Sequence, residues 1–485
     1  VLCGMDLRAV RFEGWDGDWK ARIAVLGLSS TGFSVADTLI ELGAQVRVFA
    51  KHASEENIEL LDVIGGELVK SDMRISAMDE FDPELVVISP GFTPNHPMIQ
   101  HLRERQIPIW TDIDLAWKLR DRQPNCEWIT ITGTNGKTTT VEMVTHILNS
   151  AGKKAVACGN IGNPILNPLR EPVEFDYFVV ELSSFQLHYV DAISPVSSAF
   201  LNIADDHLDW HQGFENYLQA KAKIYENTKV AAVYNVEDKN TEKSLEQADV
   251  IEGCRAIGFT LGMPSVSMVG YVEDVLADRA FLEQRAENAL EIATHEDLSQ
   301  IAPISMQLLQ NVAAASALCR SVGVAPNEIR NALKTFSQSE HRNQFLGEVS
   351  GVKFINDSKA TNSHATIAAI ASLENVVWIV GGDFKGVDPS ELVEKIHPQI
   401  KACVVIGKDP SVVVEAVSKH APELVLEVIE DQDQVMVEAV KKAYSLAKPG
   451  DTVLLSPAAA SLDQFASYQR RGEAFIEAVR GLEKP

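Results

Sequence analysis

Trp128-Ile129-Thr130-Ile131-Thr132-Gly133-Thr134-Asn135-Gly136-Lys137-Thr138-Thr139 is the stretch that decides the fold of this chain. Its first four residues form an apolar, β-branched run that reads as a strand, and a helix opens near Thr138. Between them lies a glycine-bearing turn. In such a turn backbone N–H groups and the helix N-terminus cradle phosphates, a lysine reaches the terminal phosphates, and a threonine hydroxyl holds Mg2+. The full spacing of a phosphate loop would place another glycine at position 131, where Ile131 stands, so this is a shortened loop with its Gly-Lys-Thr core kept.

Working outward, short Val/Ile-rich runs alternate with longer amphipathic stretches along the whole chain, the pattern of parallel sheets covered by helices. A first block holds Ile23–Leu26, Val46–Phe49 and Leu85–Ile88, and a break at Arg120–Asn125 reads as a linker. The second holds Trp128–Ile131, Tyr177–Val180, Ser198–Leu201 and Ala231–Tyr234, followed by an acidic, weakly patterned region over 240–300 in which no element is assigned. The third holds Lys353–Ile355, Val376–Val380, Ala402–Ile406 and Thr452–Leu455. With 485 residues, too many for one ordinary core, the expected fold is α/β in three domains over 1–120, 121–338 and 339–485.

Ligands of such sheets bind beyond the carboxyl ends of the strands. Glu181, ending Tyr177–Val180, suits a hard-cation ligand and equally a helix-capping acid. His207 stands in the acid- and imidazole-rich stretch Asn202–His211, after a third strand of the same sheet. Tyr217–Tyr225 reads as an amphipathic helix with solvated lysines. In the third block Asn356–Asn362, Gly381–Gly386 and Ser456–Gln464 each follow a strand, and they gather acids, lysines, hydroxyls and glycines suited to anions or nucleotide groups. Ser461 and Gln464 also match a capping box. Gly27–Gly32 resembles a dinucleotide fingerprint with Ser29 in place of its middle glycine. Ala50 and Lys51 stand where its acid belongs, which argues against NAD and leaves a phosphate-bearing ligand.

Hydrophobic residues make up 46% and charged ones 23%, as a soluble globular protein requires. A net charge of -25 argues against general binding to nucleic acid or to an anionic membrane. Six scattered cysteines, with no zinc-ligand spacing, point to a reduced chain. No apolar run approaches a membrane span, and the start, with Asp6, Arg8, Arg11 and Glu13, lacks a signal-peptide region. A cytoplasmic location is expected.

Over nearly its whole length the chain resembles the Mur ligases. The likeness rests on Gly27–Ser34, Ser89-Pro90-Gly91, the phosphate loop, Gly159-Asn160-Ile161-Gly162, Glu181–Gln186, Asp206-His207, Ala220-Lys221, His341-Arg342, Asn356–Asn362, Gly381–Gly386 and Ser456–Phe465. The phosphate loop is also that of folylpolyglutamate synthetases. Asn356–Asn362 and Ser461–Phe465 resemble the members that add D-glutamate.

That resemblance implies a Rossmann-like N-terminal domain for a UDP moiety, a central P-loop ATPase-type domain, and a Rossmann-like C-terminal domain that delivers the amino acid. It implies ATP-dependent addition of D-glutamate to UDP-N-acetylmuramoyl-L-alanine through an acyl phosphate, by a monomer, in cytoplasmic peptidoglycan precursor synthesis. Two Mg2+ sites follow, and so does a carbamate on Lys221. Lys137, Glu181, His207 and Lys221 would be catalytic, with Thr138, Glu181, His207 and Lys221 on metal. Gly133, Thr134, Asn135, Gly136, Lys137, Thr138, Thr139, Asn311, Arg342, Asp357 and Lys359 would hold ATP. Ser30, Thr31, Ser89, Gly91, Asn160, Ser183, Gln186 and His207 would hold the UDP-substrate. Thr361, Lys385, Ser461, Leu462 and Tyr468 would hold D-glutamate. The chain departs from the family at Ala50, where an acid often meets uracil, and over Ser305–Asn311, near the adenine. The alternatives are a related ligase for another amino acid and a nucleotide-binding regulator that has lost ligation.

Overall fold

The computed structural model describes residues 20–72, 74–299, 301, 304–337, 341–371, 373–430 and 434–482; Cys3 and the charged residues from Asp6 to Glu13 lie outside them. Three sheets carry the fold. The first joins β1 (Arg22–Leu28), β2 (Gln45–Ala53), β3 (Glu67–Val69), β4 (Leu85–Ile88) and β5 (Ile109–Thr111) in the order β3-β2-β1-β4-β5, all parallel. Ile23–Leu26 and Leu85–Ile88 are buried on both faces, as central parallel strands between helices must be. The order reverses between β1 and β4, so a ligand crevice opens where Gly27–Gly32 and Ser89–Gly91 leave them.

The second sheet holds β6 (Glu127–Thr132), β7 (Ala155–Gly159), β8 (Tyr177–Glu181), β9 (Ser197–Phe200), β10 (Ala231–Asn235), β11 (Arg255–Phe259), β12 (Met268–Val272), β13 (Val275–Asp278) and β14 (Leu290–Thr294). Its order is β14-β13-β12-β11-β10-β9-β6-β8-β7, parallel from β7 to β12 and antiparallel at β12-β13-β14. The unassigned region is therefore the edge of this sheet. Arg120–Asn125 is no loose linker: buried Gln123 donates to Val173 O at 2.8 Å and accepts from Phe175 N at 3.1 Å.

The third sheet orders β15 (Gln344–Val349), β16 (Val352–Asn356), β17 (Val376–Gly381), β18 (Ile400–Ile406), β19 (Val425–Val428) and β20 (Thr452–Leu455) as β15-β16-β20-β17-β18-β19, parallel except for β15. Its two faces are packed separately, by Phe354, Ile379, Val404 and Phe475 on one side and by Trp378, Val405, Leu392 and Val417 on the other. The three polar loops all leave β16, β20 and β17, adjacent strands, at the same end. No helix starts at Ser461: the next one spans Tyr468–Leu482, and the Gln464 carboxamide instead accepts from Gly407 N at 2.8 Å, which corrects the capping-box reading.

The chain divides into two compact units: Val1–Ile203 with Glu215–Gln300 and Gln310–Phe336, and Ala204–Phe214 with Ile301–Leu309 and Ser337–Pro485. Among the described residues no helix is long and apolar enough to cross a membrane, and Cys126, Cys158, Cys254, Cys319 and Cys403 are free thiols.

Candidate active site

In the first unit β6 lies between β8 and β9, so the loops after all three strands meet. The helix after the phosphate loop runs Lys137–Ser150, with Gly136 in the left-handed region at φ +82°. Lys137 Nζ donates to Gly133 O at 2.8 Å and to Thr134 O at 3.0 Å, folding the side chain back over its own loop. Thr138 Oγ1 donates to Glu181 Oε2 at 2.6 Å, and Asn160 Nδ2 donates to Glu181 Oε1 at 3.0 Å. Glu181 is buried at its strand end and caps nothing; Ser183 caps the next helix, so the helix-cap alternative falls. Thr139 is buried in the first turn of the loop's own helix.

Lys221 reverses the reading of its helix. Phe214–Ala222 is helical, but Lys221 is only 2% exposed: Nζ donates to Gly133 O at 2.8 Å and to Thr132 Oγ1 at 3.3 Å. Lys223 donates to His188 O and Val190 O, both at 3.2 Å, so neither lysine is simply solvated. A residue to which the sequence assigned no role is Asn202, after β9. Its side chain accepts from Asn135 N at 2.8 Å and donates to Asn135 O at 3.1 Å, and its own carbonyl accepts from Thr134 N. It clasps the phosphate loop from the neighbouring strand. Asn311 closes the loop from the other side, because a Cβ on Gly136 would lie 2.4 Å from Asn311 Oδ1. Gly136→Ala therefore combines that clash with a left-handed backbone. It should lower stability by about 1–2 kcal/mol and weaken nucleotide binding, as thermal unfolding and titration with a nucleotide would show.

At the other crevice of this unit, Ser29 caps the helix Ser30–Glu41, which places Ser30 and Thr31 in its exposed to half-exposed first turn. The turn is tight: a Cβ on Gly32 would lie 2.2 Å from Gly27 O. Ser89 Oγ is buried there without a hydrogen-bond partner among the described residues, and Gly91 beyond it is exposed at φ +116°. A ligand hydroxyl or phosphate would satisfy that serine. Gln186 differs from a ligand-facing residue. It is 1% exposed, its Oε1 accepts from Ser183 N and Oγ at 3.1 Å, and its Nε2 donates to Asp112.

In the second unit Lys385 Nζ pairs with Asp206 Oδ1 at 2.8 Å, and His207, at φ +53°, begins the short helix Leu208–His211. Lys359 Nζ sits 3.9 Å from the centroid of the Tyr468 ring, so a residue expected to hold ATP and one expected to hold D-glutamate touch. Thr361 is half-buried, Ser461 buried and Leu462 75% exposed. Buried Arg471 ties the first polar loop to the third, donating to Ser358 Oγ at 3.1 Å, Ser358 O at 2.9 Å and Ala459 O at 3.1 Å. Burial pulls its guanidinium down to about 9, against Asp463 and Asp357. Arg342 Nη2 is buried with no hydrogen-bond partner among the described residues.

Burial also pushes the Asp357 carboxyl up to about 7, against hydrogen bonds from Asn343 N (3.2 Å) and Ser456 Oγ (3.0 Å) and the charges of Arg342 and Arg471. An unfolded aspartate ionises near about 3.9, so between there and about 7 the unfolded chain binds fewer protons and stability falls as pH rises. Asp357→Asn should flatten this slope, up to about 1.4 kcal/mol per pH unit, in urea unfolding followed from pH 4 to 7.

Among the described residues no group of three or more His, Cys, Asp or Glu could enclose a metal by itself. The Thr138 hydroxyl and the Glu181 carboxylate, hard oxygen donors beside a phosphate loop, still suit Mg2+ arriving with a nucleotide.

Comparison with known proteins covers all three sheets. Residues 21–111 match the Mur ligase MurD-like N-terminal domain, 131–319 the Mur ligase middle domain, and 341–459 the Mur ligase glutamate ligase domain. The chain is 46% identical to UDP-N-acetylmuramoylalanine--D-glutamate ligase of Leifsonia xyli subsp. xyli, over 97% of this chain and 95% of that protein. It is 43% identical to the protein of the same name from Streptomyces coelicolor, over 95% and 98%. Its fold is similar to UDP-N-acetylmuramate-alanine ligase MurC of Thermotoga maritima (TM-score 0.57, 18% identity, 96% of this chain and 100% of that one). It is also similar to the MurF ligase of that organism in complex with ADP (TM-score 0.57, 16% identity, 90% and 95%).

Proposed function

The chain belongs to the Mur ligase family, and from that premise we propose that it joins D-glutamate to UDP-N-acetylmuramoyl-L-alanine at the expense of ATP, in peptidoglycan precursor synthesis. One observation carries the reading at the level of chemistry: Thr138, Glu181, Lys137 and buried Lys221 converge on one phosphate loop. Phosphoryl transfer between two anions needs positioning and positive charge more than covalent catalysis.

In this reading the L-alanyl carboxylate attacks the γ-phosphate and ADP leaves, giving an acyl phosphate. The D-glutamate amine then adds to the acyl carbon, loses a proton and expels phosphate. Lys137 turns from its loop carbonyls to the transferring phosphate, and the loop amides and Asn202 keep the nucleotide in line. Thr138, Glu181, His207 and Lys221, the last as its carbamate, are the residues that would hold Mg2+, which supplies charge against the phosphates. Ser30, Thr31, Ser89, Gly91, Asn160 and Ser183 serve the UDP-substrate, and Asn311, Arg342, Asp357 and Lys359 the nucleotide. Thr361, Lys385, Ser461, Leu462 and Tyr468 serve D-glutamate. Residues 1–120, 121–338 and 339–485 are the corresponding domains. We read the enzyme as a cytoplasmic monomer.

Mass spectrometry of a reaction with ATP, UDP-N-acetylmuramoyl-L-alanine and D-glutamate tests this. A product heavier by one glutamyl residue, formed with ADP rather than AMP, is expected; its absence with folded protein contradicts the proposal.

A further inference from the structure

The helix Asp112–Lys118 follows the last strand of the first sheet and carries two buried carboxylates, Asp112 at 1% and Asp114 at 3% exposure. Asp114 serves its own helix start, accepting from Thr111 N at 2.8 Å and Thr111 Oγ1 at 2.7 Å. Both also reach the segment that follows β8 of the second sheet. Asp112 accepts from Gln186 Nε2 at 3.2 Å and 3.5 Å, and Asp114 Oδ1 accepts from Asp191 N at 3.0 Å. Gln186 in turn holds Ser183 through its backbone N–H and its hydroxyl. The segment so held is the turn that leaves β8 directly after Glu181, the carboxylate paired with Thr138. Tyr189 Oη adds a further tie, donating to Phe92 O at 2.9 Å.

We propose that Asp112 is a positioning residue of the ligation reaction: through Gln186 it fixes the Glu181–Ser183 turn of the ATP sheet to the sheet that binds the UDP-substrate. A buried carboxylate is costly to keep unless its partners need it, and burial already pushes the Asp112 carboxyl up to about 6. Its neighbour Asp114 adds like charge, so electrostatics alone would disfavour an acid here. What Asp112 supplies is an acceptor that locks the Gln186 amide in one orientation, with Nε2 toward the first sheet and Oε1 toward Ser183. The L-alanyl carboxylate of the UDP-substrate, the acyl donor, and the phosphate-side Glu181 then share one rigid frame, and misplacement of such a frame by about 1 Å can cost about a hundredfold in rate. This deepens the ligase reading above and rests on it.

The test is steady-state kinetics of full-length Asp112→Ala, Gln186→Ala, their double variant and Asp112→Asn, at a temperature where circular dichroism shows each folded. Asp112→Ala is expected to lose about ten- to a hundredfold in kcat, with KM for D-glutamate within about twofold. Gln186→Ala should match it, the double variant should be no worse than either, and Asp112→Asn, which keeps an acceptor, should recover to within about threefold of the parent. Additive losses in the double variant, or a folded Asp112→Ala with parental kcat, overturn the proposal. Should the alanine variants not fold, Asp112→Glu carries the test: the longer acid displaces Gln186, and parental kcat there overturns the proposal while at least a fivefold loss supports it. An inactive parent enzyme would instead refute the ligase reading itself.

Discussion

Replacing Lys137 with alanine is expected to lower the kcat of ATP-dependent ligation by about a thousandfold, with a much smaller rise in KM for ATP. The ammonium has two tasks that separate in energy. In the structure it bridges Gly133 O and Thr134 O, neutral hydrogen-bond acceptors, so losing both bonds should cost stability only about 1–3 kcal/mol. In the reaction it would face charge that develops on the transferring phosphoryl group, where one fixed cation is worth far more. A folded variant whose melting temperature falls by only a few degrees while its turnover collapses is the expected signature. Lys137→Arg should recover little, because a planar fork does not fit a site shaped for a compact ammonium.

The second large effect is expected at Lys221. Lys221→Ala should lose at least about a hundredfold in activity, and acetate or another short-chain acid should restore part of it. Nζ lies buried against the phosphate loop, on Gly133 O and Thr132 Oγ1, with the Tyr217 ring 5.1 Å away. Truncation leaves a cavity of roughly the shape of the lost butyl-ammonium chain, room for a small carboxylate to stand in for the proposed carbamate. Rescue by the acid and not by a primary amine of equal length separates an anionic role from that of an ammonium donating to Gly133 O and Thr132 Oγ1. Full activity of the untreated variant would end the carbamate assignment.

Much of this architecture is written in local pattern. Runs such as Leu85–Ile88, wholly apolar, and Thr452–Leu455, apolar after its first residue, have that composition because both faces are covered, and they became strands with those bounds. The polar loops after them could be found from the rule that parallel sheets bind ligands beyond strand ends. Features that depend on tertiary contact were not legible. Helical periodicity places Lys221 among solvated lysines, and only the packing of that helix against Gly133 buries it. Asn202 is a single polar residue after a strand, with no repeat or spacing to mark it as the clasp of Asn135. The strands from Arg255 to Thr294 hid because each is only four or five residues long, and β12 and β13 form a short antiparallel hairpin, turned by Glu273 at φ +57°, in place of the strand–helix alternation elsewhere. Ser461 and Gln464 show the reverse error: the spacing fits a capping box, yet Gln464 is drawn to Gly407 and no helix starts there. Family resemblance assigned Gln186 to substrate, whereas its amide is committed to Ser183 and Asp112.

The central claim is the identity of the bond formed, and ADP release across a panel of amino acids measures it most directly. With UDP-N-acetylmuramoyl-L-alanine present, D-glutamate should drive ADP release well above background, while L-glutamate, L-lysine and meso-diaminopimelate should not. Omitting the UDP-substrate should abolish the D-glutamate response. Release driven by one of the other amino acids, or ATP turnover indifferent to the UDP-substrate, would contradict the account.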